Sequence, residues 1–246
     1  MWVGVITLFP DIFLSFQDMG VVGRAIKSGL VELNTYNPRD FATDNYRRVD
    51  DYSYGGGPGM VLKFELLKKA LDSAKQDAPC LSQVIMMSPQ GETFSQSRAS
   101  SICEEKSVIL VSGRYEGVDQ RFLDNYVDLE LSIGDYILSG GELPAMVVID
   151  AISRCIPGVL GNSNSFDKET YVEGLFDYPH YTRPDSVDGL DVPKDLLSGD
   201  PLKVGKFRRQ EALIKTYEKR PDLLLKTTLD DADREILREY LSGLSD

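Results

Sequence analysis

The chain has 246 residues, of which 42% are hydrophobic and 27% charged, a composition typical of soluble globular proteins with one large domain or two modest ones. No apolar stretch is long enough to cross a bilayer and the N-terminus lacks the order of a secretory signal, so neither a membrane span nor secretion is predicted. Thirty-nine acidic residues against 27 basic ones give a net charge of −12, which by itself disfavours a nucleic-acid partner.

Short β-rich apolar runs alternate with helix-like segments along the first two thirds of the chain. Buried strands are predicted at residues 2–9, 83–87 and 107–112. Helices are predicted at residues 65–75, 96–106 and 143–156. The last of these is apolar nearly all round and should therefore be buried. The alternation predicts an α/β fold with a mostly parallel sheet covered on both faces.

The pattern changes after residue 160. Polar turn formers at residues 161–173 predict a linker, and strand signals are missing beyond it. Asp200 followed by Pro201 predicts the start of a helix that runs to about residue 219, and helical spacing of apolar residues predicts a last helix from about residue 229 to 241. We therefore predict an α/β domain at residues 1–160, a linker at 161–173 and a small all-helical domain at 174–246.

The densest glycine cluster is YGGGPGM at residues 54–60. Its glycines can adopt positive φ and bring backbone amides close to a phosphate or nucleotide. The cluster lacks the Gly-Lys-Ser/Thr ending of a triphosphate-binding loop. A surface turn is the alternative. Two more loops, SGRYEG at 112–117 and SIGDYILSGG at 132–141, lie beside predicted strands and the buried helix. If they converge at one sheet edge they would frame a flat, partly apolar ligand; two unrelated turns are the alternative.

Charged residues offer two further candidates. Asp150 and Arg154 are four residues apart on the otherwise apolar helix, which fits either a structural ion pair or an arginine that meets a ligand. Residues 201–220 contain seven Lys or Arg and only two Glu. Arg208, Lys215 and Lys219 share one stripe of the predicted helix, which is either a solvated face or a phosphate contact.

The single histidine, His180, and three scattered cysteines limit the chemistry. No multi-histidine site and no Cys/His cluster with zinc spacing exists, so no metal site is predicted. An odd number of cysteines without CxxC spacing predicts reduced thiols and a cytoplasmic location. An enzyme with this sequence must use carboxylates, arginines and backbone amides.

Several long strings occur together and in order: WVGVITLFPDIF, YGGGPGM, SPQG, VSGRYEGVDQR, SIGDYILSGGELPAMVVIDAISR, IPGVLG and GLFDYPHYTRP. Through them the chain resembles the bacterial tRNA (guanine-N1)-methyltransferases of the TrmD type, densely up to about Arg183 and more loosely beyond. The resemblance implies a SPOUT fold with a trefoil knot late in the α/β domain. It also implies a homodimer in which the linker and C-terminal domain of one chain close over the cofactor of the other.

The implied reaction transfers a methyl group from S-adenosylmethionine to N1 of the guanine immediately 3′ of the anticodon, position 37 of tRNA. By match, the cofactor-binding residues are Ser88, Pro89, Gly113, Tyr115, Glu116, Ser132, Ile133, Gly134, Asp135, Tyr136, Ile137, Leu138, Gly140, Gly141 and Pro144. Residues expected to contact the tRNA anticodon stem-loop are Gly55, Gly56, Gly57, Gly59, Thr170, His180, Arg183, Arg208, Lys215 and Lys219. Mg²⁺ is implied by the family alone, since the sequence offers no ligand cluster for it.

The linker departs from the family pattern. Where the family usually reads Asp-Ser-Phe, with the Asp proposed as the base, this chain reads Glu169-Thr170-Tyr171. We predict that Glu169 takes the base role, with Asp167 as the reserve candidate, and Arg154 matches the family's functional arginine. Two other functions stay open: a catalytically weak or inactive RNA-binding protein of the same fold, and a nucleotide-binding enzyme that uses residues 54–60 as a phosphate cradle.

Overall fold

A computed structural model describes residues 1–160, 171 and 174–243 of the chain, which divides into two compact units at residues 1–163 and 164–246. The strands of the first unit are β1 (Trp2–Ile6), β2 (Glu32–Tyr36), β3 (Asp50–Asp51), β4 (Val61–Leu62), β5 (Gln83–Thr93), β6 (Ser107–Ser112) and β7 (Leu129–Ser132). Its helices are α1 (Asp11–Asp18), α2 (Gly20–Lys27), α3 (Phe64–Asp77), α4 (Gln96–Cys103), α5 (Gln120–Tyr126) and α6 (Glu142–Cys155). A 3-10 helix at Pro38–Phe41 follows β2.

Five of these strands form one sheet in the order β2-β1-β6-β5-β7, and all its pairs are parallel. The prediction of an α/β fold with a parallel sheet is confirmed. Because neighbouring strands run the same way, the carboxyl ends of β6, β5 and β7 lie side by side at one edge. A register shift in β5 between Met87 and Glu92 adds a bulge at this edge.

Both faces of the sheet are covered, as the near-continuous apolar strands predict. Alternate residues of β1 enter two different apolar clusters, with Val5 in one and Ile6 in the other. Helices α1, α2, α4 and α6 cover the first cluster, where Phe13 is fully buried, and α3 and α5 cover the second. This packing fixes the sheet and therefore the loops that leave its carboxyl edge.

Some elements differ from the prediction. The first strand ends at Ile6 rather than at residue 9, and the helix from Gln96 ends at Cys103. Strand β2, with the polar sequence ELNTY, was not predicted, because it lies at the edge of the sheet and buries only Leu33 and Tyr36.

The described part of the second unit contains a short hairpin and four helices: β8 (Ser186–Val187), β9 (Leu190–Asp191), α7 (Lys194–Leu197), α8 (Pro201–Lys219), α9 (Pro221–Leu224) and α10 (Asp231–Gly243). Helix α8 begins as predicted, because the Asp200 carboxylate accepts a hydrogen bond from the Leu202 amide at 3.0 Å. The expectation of an all-helical domain was wrong in one respect, the antiparallel β8–β9 hairpin. No helix in the described ranges is long and apolar enough to span a membrane.

Candidate active site

A cleft of about 470 Å³ lies at the edge where β6, β5 and β7 end. Its walls come mainly from residues 86–90, 113–118 and 130–141, three segments that neighbouring parallel strands bring together. The two glycine-bearing loops therefore meet at one edge instead of forming unrelated turns. The volume is within the range of about 300–1,000 Å³ that is usual for small-molecule sites.

Most residues expected to bind a cofactor line this cleft. Those present are Ser88, Pro89, Gly113, Tyr115, Glu116, Ser132, Ile133, Gly134, Tyr136, Ile137, Leu138, Gly140, Gly141 and Pro144. Asp135 does not line it. Backbone groups and apolar side chains such as Met86 and Leu131 supply much of the surface, which suits a flat ring. The charged residues Arg114, Glu116 and Glu130 also line the cleft.

Two glycines allow the loops of the cleft to pack closely. The Gly141 amide donates a hydrogen bond to the Gly113 carbonyl at 2.9 Å. A Cβ atom on Gly141 would lie 2.7 Å from Ser112 Cα, and one on Gly140 would overlap the Arg114 guanidinium. A side chain at Gly141 would therefore push the two loops apart, whereas one at Gly140 would displace the Arg114 side chain.

One polar network beside the cleft was missed by the sequence analysis. The Glu142 carboxylate, only 1% exposed, receives hydrogen bonds from the Arg114 Nε atom at 2.9 Å and the Thr7 hydroxyl at 3.0 Å. The one sequence feature that could have indicated this network is an acidic residue, Glu142, in the first turn of an otherwise apolar helix. Its partners are 28 and 135 residues away, so spacing could not identify them.

The glycine cluster at residues 54–60 adjoins the cleft at one end only. Gly55, Gly56 and Gly57 all have positive φ, and open space surrounds the position of a Cβ atom on each. By contrast, a Cβ atom on Gly59 would overlap the Glu116 side chain, and the Glu116 amide donates to the Met60 carbonyl at 3.0 Å. The cluster is thus an open turn whose last residues support one wall of the cleft.

Tyr115 forms part of the same wall with a φ of 61°. Burial, followed by the neighbouring Asp50 carboxylate, raises the pKa of its phenol. The group therefore remains neutral at physiological pH and can donate a hydrogen bond.

Arg154, the predicted catalytic residue that lies within the described ranges, does not line the cleft of its own chain. Arg154 lies half-buried in the last turn of α6, about 15 Å along the helix axis from Pro144. It forms no ion pair with Asp150 in the described part of the chain, so the structural pairing weighed above is not present. Glu169, Thr170 and Asp167 lie outside the described residues.

A second, smaller pocket of about 260 Å³ lies in the C-terminal unit. Three residues expected to contact tRNA line it, namely His180, Arg183 and Arg208. The Arg208 guanidinium stacks 4.6 Å from the centre of the Tyr178 ring, and His180 Nε2 lies 2.9 Å from an Asp177 carboxylate oxygen.

The other two residues of the basic stripe, Lys215 and Lys219, lie further along α8. The Lys215 ammonium donates to the Asp177 carbonyl at 3.0 Å, so this side chain is partly buried and fixes the chain ahead of the pocket. Lys219 is exposed near the end of the helix. Within the described ranges, no group of three or more His, Cys, Asp or Glu residues is placed to hold a metal ion.

Comparison with known proteins identifies the relatives of this chain. The sequence profile of the family described as "tRNA (Guanine-1)-methyltransferase TrmD" matches residues 1–226. Proteins named tRNA (guanine-N(1)-)-methyltransferase are similar along nearly their whole length. The one from Pseudoalteromonas translucida is 50% identical over 98% of this chain and 94% of its own length. Those from Tolumonas auensis and Shewanella amazonensis are 48% and 49% identical, with coverage of 98% or more of both chains.

Proposed function

The chain belongs to the tRNA (guanine-1)-methyltransferase family, and we propose that its cleft binds S-adenosylmethionine and that its target is the guanine at position 37. Its activity is methyl transfer to guanine N1 in tRNA. The observation that supports the cofactor site is the junction of the two glycine-bearing loops at the sheet edge.

The residues of the cleft fit S-adenosylmethionine. Its volume accommodates a nucleoside with a short amino-acid chain, and its mixed lining of backbone and apolar groups suits an adenine ring. Gly141 lies in close contact with Gly113, and a Cβ atom on Gly141 would disrupt this contact. Residues 132–141 would hold the base and ribose, with residues 86–90 and 113–116 on the opposite wall. Family membership also supports a trefoil knot in the segment that leads into α6.

The bound donor supplies a methyl group already activated by its sulfonium, so the protein mainly has to orient the acceptor nitrogen in line with it. Guanine N1 carries a proton that must leave before its lone pair can attack. We assign the removal of this proton to the Glu169 carboxylate, acting as a general base. We assign to Arg154 the stabilisation of the negative charge that develops on the guanine oxygen.

The position of Arg154 supports a homodimeric active site. It lies at the opposite end of α6 from the cleft of its own chain, so a second chain is needed to bring it to a donor. Leu143, Val147 and Arg154 share one stripe of α6, and the two apolar side chains on it are 53% and 46% exposed. A partner that covers this stripe would bury apolar surface and place the guanidinium at a subunit interface.

We propose that the C-terminal pocket contacts the anticodon stem-loop. His180, Arg183 and Arg208 present their polar ends around it, and Lys219 extends the positive surface along α8. Lys215 is assigned to holding the pocket's backbone and not to phosphate contact, because its ammonium is already bonded to the Asp177 carbonyl. We assign to the glycine turn at residues 55–57 a contact with RNA that approaches the cleft. The described residues do not fit a Mg²⁺ site, so no step is assigned to that ion.

Single-turnover transfer of a labelled methyl group to a tRNA transcript tests the reaction. Glu169→Gln should slow transfer by about 10²–10⁴-fold, because it removes the base, while tRNA and S-adenosylhomocysteine still bind. Glu173→Gln, which changes an acid in the same segment, is the matched control and should be as active as wild type. A transcript with adenine at position 37 should accept no methyl group.

Four results would contradict the proposal. Fast transfer by Glu169→Gln would remove this residue from the base role, and loss of transfer in Asp167→Asn alone would give that role to its neighbour. Methylation of the transcript without guanine 37 would overturn the position. A wild-type protein that binds tRNA but transfers nothing would be an RNA-binding protein of the same fold.

A further inference from the structure

We propose that Arg114 and Glu142 are positioning residues whose ion pair holds the two loops of the cleft in the geometry that binds the methyl donor. The inference rests on the proposed function of this cleft and assigns to both residues a role that they exert through the loops they join, although Arg114 also lines the cleft. It starts from the most buried ion pair of the described residues in the first unit.

The pair joins the two loops directly. Arg114 lies in the loop that follows β6, and Glu142 is the first residue of α6, immediately after the loop that follows β7. Arg114 Nε and one terminal guanidinium nitrogen both lie 2.9 Å from Glu142 Oε2. The other terminal nitrogen donates to the Ser139 carbonyl at 3.0 Å. One guanidinium therefore fixes a side chain at the helix start and a backbone carbonyl within the facing loop.

The carboxylate is anchored from behind as well. Glu142 Oε1 accepts a hydrogen bond from the Thr7 hydroxyl at 3.0 Å, and the Thr7 oxygen in turn accepts one from the Phe9 amide at 3.0 Å. Thr7 follows β1 and is 1% exposed. The Arg114 guanidinium also stacks 4.5 Å from the centre of the Phe9 ring. The network therefore ties the ends of β1 and β6 to the start of α6.

The chemistry of the two groups explains why this arrangement positions the loops. A buried carboxylate costs free energy unless its oxygens are hydrogen-bonded, and here both oxygens have donors. The planar guanidinium supplies donors in fixed directions, so it sets both the separation and the orientation of its two partners. A lysine ammonium keeps the charge but cannot make the same fork.

The residues held by this network are those that face the ligand. Gly113 and Tyr115 flank Arg114, while Gly140 and Gly141 precede Glu142, and all four line the cleft. A shift of about 1 Å in either loop would misplace the backbone groups on both sides of the donor, an error large enough to weaken its binding.

The test compares two arginines that each pair with a buried carboxylate through Nε and one terminal nitrogen. In the C-terminal unit, Arg209 donates from Nε and a terminal nitrogen to the Asp233 carboxylate at 2.8 and 2.6 Å, and the Asp233 side chain is 3% exposed. Arg114→Lys and Arg209→Lys therefore make the same chemical change in a buried pair, the first beside the cleft and the second in the other unit.

Calorimetric binding of S-adenosylhomocysteine and steady-state kinetics on full-length protein give the readouts. Arg114→Lys should weaken binding at least tenfold and raise the KM for S-adenosylmethionine by a similar factor, with kcat at saturating donor reduced less than threefold. Arg209→Lys should bind within twofold of wild type. Unfolding temperatures measured without ligand should fall in both variants, so stability alone cannot account for a difference in binding.

If Arg114→Lys binds S-adenosylhomocysteine as wild type does while its unfolding temperature falls, the pair is only a core contact and the proposal is overturned. Thr7→Val is the milder variant if Arg114→Lys does not fold. It removes one donor to Glu142 and should weaken binding about threefold, and unchanged binding would again overturn the proposal. Failure of the wild-type protein itself to bind would instead contradict the cofactor assignment.

Discussion

The cleft of the first unit and the pocket of the second are supported by different kinds of packing. Beneath the cleft are two apolar clusters on opposite faces of a parallel sheet, with many side chains completely buried. In the described part of the second unit, the only buried apolar residues are Leu175, Ala212 and Leu213. The other two buried residues of this described part, Thr216 and Asp233, are polar.

Polar contacts therefore stabilise the second unit, whereas apolar packing stabilises the first. The Thr216 hydroxyl donates to the Ala212 carbonyl at 2.6 Å and accepts from the Phe176 amide at 2.8 Å. The Arg209–Asp233 pair links α8 to α10. A rigid cleft suits the alignment of a small donor, whereas a surface with few apolar contacts suits a large, hydrated RNA.

The sharpest test of this difference is Asp233→Ala. It removes two charge-assisted hydrogen bonds and the acceptor of the Asp230 amide at the start of α10, so the second unit should lose about 3 kcal/mol of stability. Hydrogen exchange should accelerate in α8 and α10. Trp2, the single tryptophan of the chain, is buried in the first unit, and the midpoint of its fluorescence transition should stay unchanged. A shift of both probes together would mean that the two units unfold as one.

Exchanging glycine for alanine should change the free energy of unfolding by a smaller amount, and with opposite signs in the two units. Gly141 has helical φ and ψ, so Gly141→Ala adds no backbone strain, but its Cβ would collide with the β6 backbone. We expect a loss of about 2 kcal/mol in the Trp2 transition and at least tenfold weaker S-adenosylhomocysteine binding. Gly205 lies within α8 with open space around it, so Gly205→Ala should stabilise the second unit by about 0.5–1 kcal/mol. Normal ligand binding by Gly141→Ala would show that the loops tolerate separation.

Local patterns were sufficient for much of this architecture. The buried strand predicted at residues 107–112 is β6, and the Asp200-Pro201 signal predicts the start of α8. Each pattern is short and carries its own physical cause, apolar continuity in one case and capping in the other. Local patterns leave open whether the two glycine-bearing loops converge or form unrelated turns. The parallel order of β6, β5 and β7 in the structure decides for convergence, because parallel neighbours share one carboxyl edge.

Contacts between distant residues could not be predicted in this way. The spacing of Asp150 and Arg154 suggests an ion pair, but the described structure does not form one, since helical spacing permits a contact without requiring it. Conversely, Thr7 and Glu142 are bonded although 135 residues separate them. The predicted base, Glu169, stands where the family usually has an aspartate, and its role stays a prediction.

The smallest expected difference between the units concerns acid stability. Hydrogen bonds from Arg209 hold the pKa of the Asp233 carboxyl below its ordinary value. A carboxyl whose pKa is lower in the folded state stabilises the fold fully above its unfolded pKa of about 3.9, and this contribution is lost as the pH falls through the lower folded value. The second unit should therefore lose stability below about pH 4. Asp233→Asn starts less stable but lacks this titration, so hydrogen exchange in α8 should depend less steeply on acid than in wild type. Equal slopes in the two proteins would assign the acid sensitivity to other carboxylates.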